Sequence, residues 1–159
     1  MNDPVLRAMR AAALAFWAAL CARQSPRILT LWGRNGHGNG TGKTFLATLV
    51  KAQGRGTMLP WPKYCARRQQ GEPTGLMAHN IENAALLVID DAGAEHATSF
   101  TTGLLCEALD GRMRRLQHTI ITSNLSPDEW RDRDARISSR LIRDGNIHVC
   151  CETSDFSLR

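Results

Sequence analysis

The chain has 159 residues, 43% of them hydrophobic and 22% charged, with a net charge of +5 and a pI near 9.3. That length holds one domain with a sizeable core, and the composition excludes both a disordered chain and a multi-span membrane protein. The basic balance permits a polyanionic partner without requiring one.

Asp3-Pro4 pairs an N-cap with a proline at the first helical position, and the apolar run that follows reads as a packed helix over residues 4–22. Arg7 and Arg10 before AAALAFWAALCA imitate an export signal, but Ala11–Ala22 is shorter than the ~20 residues a bilayer needs, and Leu20 spoils a lipoprotein-type site at Cys21. ILTLW, residues 28–32, predicts a buried strand feeding a glycine-rich loop. KTFLATLVKAQ, residues 43–53, has helical spacing and stops at Gly54. Residues 57–72 give no clear pattern; MLPW reads as an edge strand, because Pro60 and Pro62 exclude a central one. A helix over 75–84, a central strand over 85–91, a helix over 99–116 capped by Ser99 and a buried strand over 119–124 follow. Ser126-Pro127 opens a short helix, residues 133–143 form another, and 146–151 form a last strand. The alternation predicts a parallel sheet covered on both faces, with ligands at the carboxyl ends of its strands. The five cysteines, two of them adjacent, show no zinc spacing and read as reduced thiols of a cytoplasmic protein.

GRNGHGNGTGKTF, Gly33–Phe45, places five glycines in ten residues before Lys43 and Thr44. A phosphate cradle needs backbone N–H groups pointing inward, which glycines permit, and a helix N-terminus behind them. Gly38, Asn39, Gly40, Thr41, Gly42, Lys43, Thr44 and Phe45 are the candidate nucleotide-binding residues. Lys43 would reach the β- and γ-phosphates and Thr44 would place its hydroxyl on Mg²⁺. The strict spacing asks for glycine where His37 stands, so the loop either starts at Gly36 and is one residue longer or tolerates a solvent-facing histidine. Asp90 and Asp91 end an apolar strand, Asp90 to hold Mg²⁺ through water opposite Thr44 and Asp91 to orient or deprotonate the attacking water. Asn124 ends the next strand, where an amide can bond the γ-phosphate and the attacking water. Arg136 and Arg140 share one helix face, as an arginine finger toward a neighbouring subunit would. Lys63, Arg67 and Arg68, or Arg112, Arg114 and Arg115, are candidate contacts to a nucleic-acid backbone.

LLVIDDAGAEHAT, IITSNLS and DARISSRL, in that order after a phosphate loop, resemble the AAA+ ATPases of the DnaC/DnaI helicase-loader and IstB transposition-helper group. The resemblance covers residues 28–150. It implies a P-loop NTPase three-layer αβα sandwich with a parallel five-stranded sheet of order 5-1-4-3-2 and an AAA+ core at 28–159. The sequence departs from the family pattern in the expected absence of a lid domain and in residues 1–27, which read as an N-terminal helix packed on the core where loaders carry a helicase-binding domain. By motif, Lys43 and Thr44 are Walker A, Asp90 and Asp91 are Walker B, and Asn124 is sensor 1. Arg140 is the arginine finger, and Arg159 in the terminal DFSLR resembles the arginine-bearing tail of these loaders. The resemblance further implies ATP and Mg²⁺ as cofactors and self-association in the ATP state. Its implied partners are a DnaB-type replicative helicase and single-stranded DNA. Two alternatives stand beside the loader: an IstB-like transposase helper, and a nucleotide-gated binding module with little turnover, which the irregular loop and Asp91 in place of the more usual glutamate favour.

Overall fold

The computed structural model describes residues 3–33 and 41–152. Its elements, in chain order, begin with α1 (Pro4–Ala22), β1 (Ile28–Trp32), α2 (Lys43–Gln53), β2 (Thr57–Pro60), α3 (Trp61–Gln69) and α4 (Gly75–Asn83). They continue with β3 (Leu86–Ala92), α5 (Ser99–Arg114), β4 (His118–Ser123), α6 (Pro127–Arg133), α7 (Ala135–Ile142) and β5 (Ile147–Cys150), the last reached through a 3₁₀ turn at Arg143–Gly145. All strand pairings are parallel and the order is β2-β3-β4-β1-β5, which is the expected 5-1-4-3-2 read from the other edge.

Helix boundaries follow local chemistry. The Asp3 carboxylate accepts from the Val5 N–H at 2.9 Å ahead of Pro4, and Arg23 in the left-handed region (φ 55°) closes α1. Thr98, one residue before the expected Ser99, caps α5 in a reciprocal box with Thr101, and Ser126 does the same for α6 with Glu129. The helix α3 was not legible in the sequence. Pro60 and Pro62 read as interruptions, yet Pro62 falls in the first helical turn, where a missing N–H costs nothing, and Trp61 belongs to that helix rather than to the edge strand. Pro60 ends β2, which does lie at the sheet edge.

Side chains alternate across the sheet and build two cores. Ile28, Leu59, Leu87, Ile89 and Ile121 face α3, α5, α6 and α7, where Trp61, Leu105, Leu109, Trp130, Ile137 and Leu141 are buried. Leu29, Leu31, Leu86, Val88 and Ile120 face α1 and α2. The helix α1 is long and apolar enough by composition to cross a membrane; here Met9, Ala12, Ala13, Phe16 and Ala19 are buried against the sheet, beside β1 and β5. All five cysteines are free thiols, three of them buried. The two layers of helices hold the strand ends in fixed register, which is what brings distant segments to one place.

Candidate functional site

The carboxyl ends of β1, β3 and β4 converge with the start of α2. Gly42 sits at φ 82°, a conformation that glycine adopts without strain, and caps α2 with no side-chain bond, so the first-turn N–H groups stay available to an anion. Thr41 is 1% exposed and its hydroxyl has no partner among the described residues. Gly38, Asn39 and Gly40, with His37 and Gly36, lie outside the described residues, as does Arg159.

Lys43 opens α2 and is 9% exposed. Its Nζ donates to the Gly33 carbonyl at 3.2 Å and to Asn124 Oδ1 at 3.3 Å, so the phosphate-loop lysine and the tip of β4 already touch. Burial lowers its pKa, and the neighbouring Cys151, Asp91, Cys150 and Glu152 oppose that shift. An ammonium held by neutral carbonyl oxygens in a half-dry site is poised for an anionic ligand.

Thr44 Oγ1 donates to Asp90 Oδ1 at 3.0 Å, joining α2 to β3. Asn124 Nδ2 lies 3.4 Å from Asp91 Oδ1. Lys43, Thr44, Asp90, Asp91 and Asn124 therefore form one connected polar cluster from three separate segments. A hydroxyl and a carboxylate side by side are the hard oxygen donors that suit Mg²⁺, which usually takes one or two protein ligands and completes its shell with phosphate and water. No cluster of three or more His, Cys, Asp or Glu able to hold a metal occurs among the described residues, so a metal here would rely on oxygens supplied by a nucleotide.

The tip of β3 is irregular. Its ladder with β4 shifts register between Ile89 and Ala92, and Asp91 has φ 61°. Residues that the sequence did not single out hold this shape. Thr122, buried in β4, donates from Oγ1 to Asp90 Oδ1 at 2.7 Å and accepts from the Asp91 N–H at 2.8 Å. Ser123 Oγ donates to the Ala92 carbonyl at 2.7 Å and accepts from the Leu125 N–H at 3.0 Å and the Trp130 indole at 3.2 Å. Gly93 follows at φ 95°, so tightly packed that an added Cβ would meet Leu125 at 2.8 Å. Glu95, 9% exposed, accepts from the Gly93 N–H at 2.8 Å, and burial raises its pKa. A polar pair preceding Asn124 was the available signal for Thr122 and Ser123; Glu95 had none beyond being an acid in a turn.

Arg140 sits on α7 and makes a bidentate pair with Asp110 of α5, both contacts at 2.6 Å, and bonds the Arg136 carbonyl. The pairing holds Asp110 below the usual carboxylate range. Arg136 is more exposed and folds back on Asp134, the α7 cap. The two therefore differ: Arg140 is braced by another helix, Arg136 only by its own. Neither touches the Lys43 cluster of its own chain through any bond among the described residues.

One expectation fails outright. Arg112 does not face solvent beside Arg114 and Arg115. It is 1% exposed, and its guanidinium donates to Thr119 Oγ1, the Ile81 carbonyl and the His118 carbonyl at 2.8, 2.9 and 2.6 Å. Spacing carried the warning: Leu105, Ala108, Leu109 and Arg112 fall on one helical stripe. Burial pushes Arg112 down to about 10, still cationic at neutral pH. Arg68, by contrast, joins Arg114 and Arg115 around a cavity of about 360 Å³ with Tyr64, so members of two separate sequence clusters meet.

Phe45, 60% exposed, lies on the α1/α2 side of the cluster. With Leu14, Trp17, Leu46 and Leu49 it lines an apolar groove of about 460 Å³ that reaches Thr41 and Gly42.

Compared with solved structures, the chain shares its fold with DnaC, DnaI and DnaA. The DnaC helicase loader superposes with a TM-score of 0.66 at 22% identity, covering 89% of this chain and 88% of that one. DnaI gives 0.73 at 21% identity, with 98% and 86% covered. DnaA from Aquifex aeolicus, in an AMPPCP-bound structure, gives 0.72 at 16% identity; 94% of this chain matches 47% of that one, so the chain spans about half the initiator. No family model and no curated protein matches the chain. The three-layer αβα fold and the parallel sheet order 5-1-4-3-2 that the resemblance implies are those observed.

Proposed function

We propose that this protein is a Mg²⁺-dependent ATPase of the AAA+ type that acts in DNA replication as a helicase loader or primosome accessory. The observation that carries the reading is the contact network at the strand ends, in which hydrogen bonds link Lys43 to Asn124 and Asn124 to Asp91, and Thr44 to Asp90, although the residues come from three segments. Surface lysines and carboxylates have no reason to converge this way; a triphosphate site does.

In this reading Lys43 exchanges its two carbonyl partners for phosphate oxygens, and the N–H groups at the start of α2 take the rest of that charge. Thr44 and Asp90 would hold Mg²⁺, which when bound neutralises charge on the phosphate oxygens. Asn124 orients a water against the γ-phosphorus. Asp91 accepts its proton as the new P–O bond forms and the bond to the bridging oxygen of ADP breaks. Phe45 and the groove beside it offer an apolar surface for the base. Arg140, braced by Asp110, reaches the γ-phosphate of a neighbouring subunit, so turnover belongs to an assembly. The likeness to loaders and to a DnaA structure bound to AMPPCP and single-stranded DNA supports a helicase partner, a single-stranded DNA partner and a cytoplasmic location. The cavity lined by Arg68, Arg114 and Arg115, and also by Glu82 and Glu107, is the candidate phosphate-backbone contact, its three cations outnumbering its two acids.

Calorimetry with ATP and Mg²⁺, together with phosphate release, tests this directly. Binding and multiple turnover in the wild type, both lost in Lys43→Ala, are expected. No heat at millimolar ATP in folded protein would refute the reading. Mixing Arg140→Ala with Asp91→Asn subunits should restore turnover that neither has alone, and DNA affinity should fall steeply with salt.

A further inference from the structure

At one strand tip a single hydroxyl joins the carboxylate of one acidic residue to the backbone N–H of the next. Thr122 is 2% exposed. A hydroxyl has one proton to give and lone pairs to receive. Here the proton goes to Asp90 Oδ1 at 2.7 Å and a lone pair takes the Asp91 N–H at 2.8 Å. Both bonds fall where the β3–β4 ladder shifts register, so the side chain replaces a partner that regular strand pairing would otherwise offer. Asp90 Oδ1 also accepts from Thr44, so three elements meet at that oxygen. The Asp91 backbone, at φ 61°, is a conformation that persists only when its surroundings enforce it.

We infer that Thr122 is the positioning residue of the site: from its buried place in β4, its hydroxyl sets the rotamer of Asp90 and the backbone torsion that aims Asp91. The inference rests on the ATPase reading for its kinetic consequence and on geometry alone for its structural one. Partners behind a metal-binding carboxylate commonly govern its usefulness as much as the carboxylate itself.

The test compares Thr122→Val, which keeps the shape and removes the hydroxyl, with Thr122→Ser, which keeps the hydroxyl. Without nucleotide or metal, amide exchange at Asp91 should be about tenfold faster in Thr122→Val and return toward wild type in Thr122→Ser. In turnover, Thr122→Val should lose about 10–100-fold in kcat. KM for ATP should stay within about threefold, and the Mg²⁺ concentration for half-maximal rate should rise. Thr122→Ser should recover most of that loss. A merely structural threonine would lower the melting temperature without splitting kcat from KM. Unchanged Asp91 exchange, unchanged kcat in folded Thr122→Val, or failure of serine to rescue would overturn the inference. If Thr122→Val does not fold, Thr122→Ala, which opens space instead of filling it, carries the same comparison. Should the wild type itself fail to turn over ATP, the ATPase reading falls, and the exchange measurement still decides whether Thr122 holds Asp91.

Discussion

β4 runs between two buried polar networks of opposite character. At its amino end, Arg112 binds two carbonyls and Thr119, while His118 meets the Gln24 carbonyl at 3.0 Å and Asn146 takes the Arg27 and Ile28 N–H groups. At its carboxyl end, Thr122, Ser123 and Asn124 meet Asp90, Asp91, Ala92 and Lys43. Both ends bury charge. The first spends a cation on neutral backbone acceptors and fastens α4, α5 and β4 together. The second sets a lysine beside carboxylates, with an αL torsion and a hydroxyl at Thr41 that lacks a described partner. Buried polarity by itself does not mark a site; opposite charges left incompletely paired on a strained tip do.

That contrast predicts which property each end controls. Asp91→Asn should lower ATP turnover by about 10²–10⁴-fold with little change in melting temperature, measured by phosphate release and calorimetric melts. Arg112→Ala should do the reverse, costing about 3 kcal/mol of stability in denaturant titrations while nucleotide affinity holds, because three buried acceptors lose their donor. Ser123→Ala tests the border: it frees the Trp130 indole and the Leu125 N–H, and should cost about 1–2 kcal/mol of stability. The smallest effect belongs to His118. Burial, stronger than its bond to Gln24, lowers its pKa below the ordinary 6.5, so the unfolded chain takes up the proton first. Its contribution is full above pH 6.5 and is lost as the pH falls through the lowered folded value, at no more than about 1.4 kcal/mol per pH unit. A His118→Gln variant should flatten that slope in melts between neutral and mildly acidic pH. Loss of turnover in Arg112→Ala without loss of stability would erase the distinction between the two ends.

Much of this was legible from the chain. Buried strands such as ILTLW and LLVID announce themselves by unbroken apolar runs, because both faces of a parallel sheet are covered. The five charged and polar residues of the cluster were recognisable because Lys43 and Thr44 open a helix after a glycine-rich loop, and Asp90, Asp91 and Asn124 stand at the carboxyl tips of apolar strands. Four features were not. The helix α3 hid behind prolines whose effect depends on which helical turn they enter. Arg112 was read by its charge, when its position on an apolar stripe decided its direction. Thr122 and Asp110 act through pairings 31 to 32 and 30 residues away, and such pairings exist only once the register is set.

The torsion at Asp91 carries a consequence for chemistry by side-chain length. Left-handed backbone is tolerated best, after glycine, by asparagine and aspartate, whose short polar groups find local partners. The dihedral angle thus selects the two-carbon acid over its longer homologue. Lengthening it by one methylene would pit reach toward water against the comfort of the main chain, so the shorter carboxylate is the one this bend accommodates.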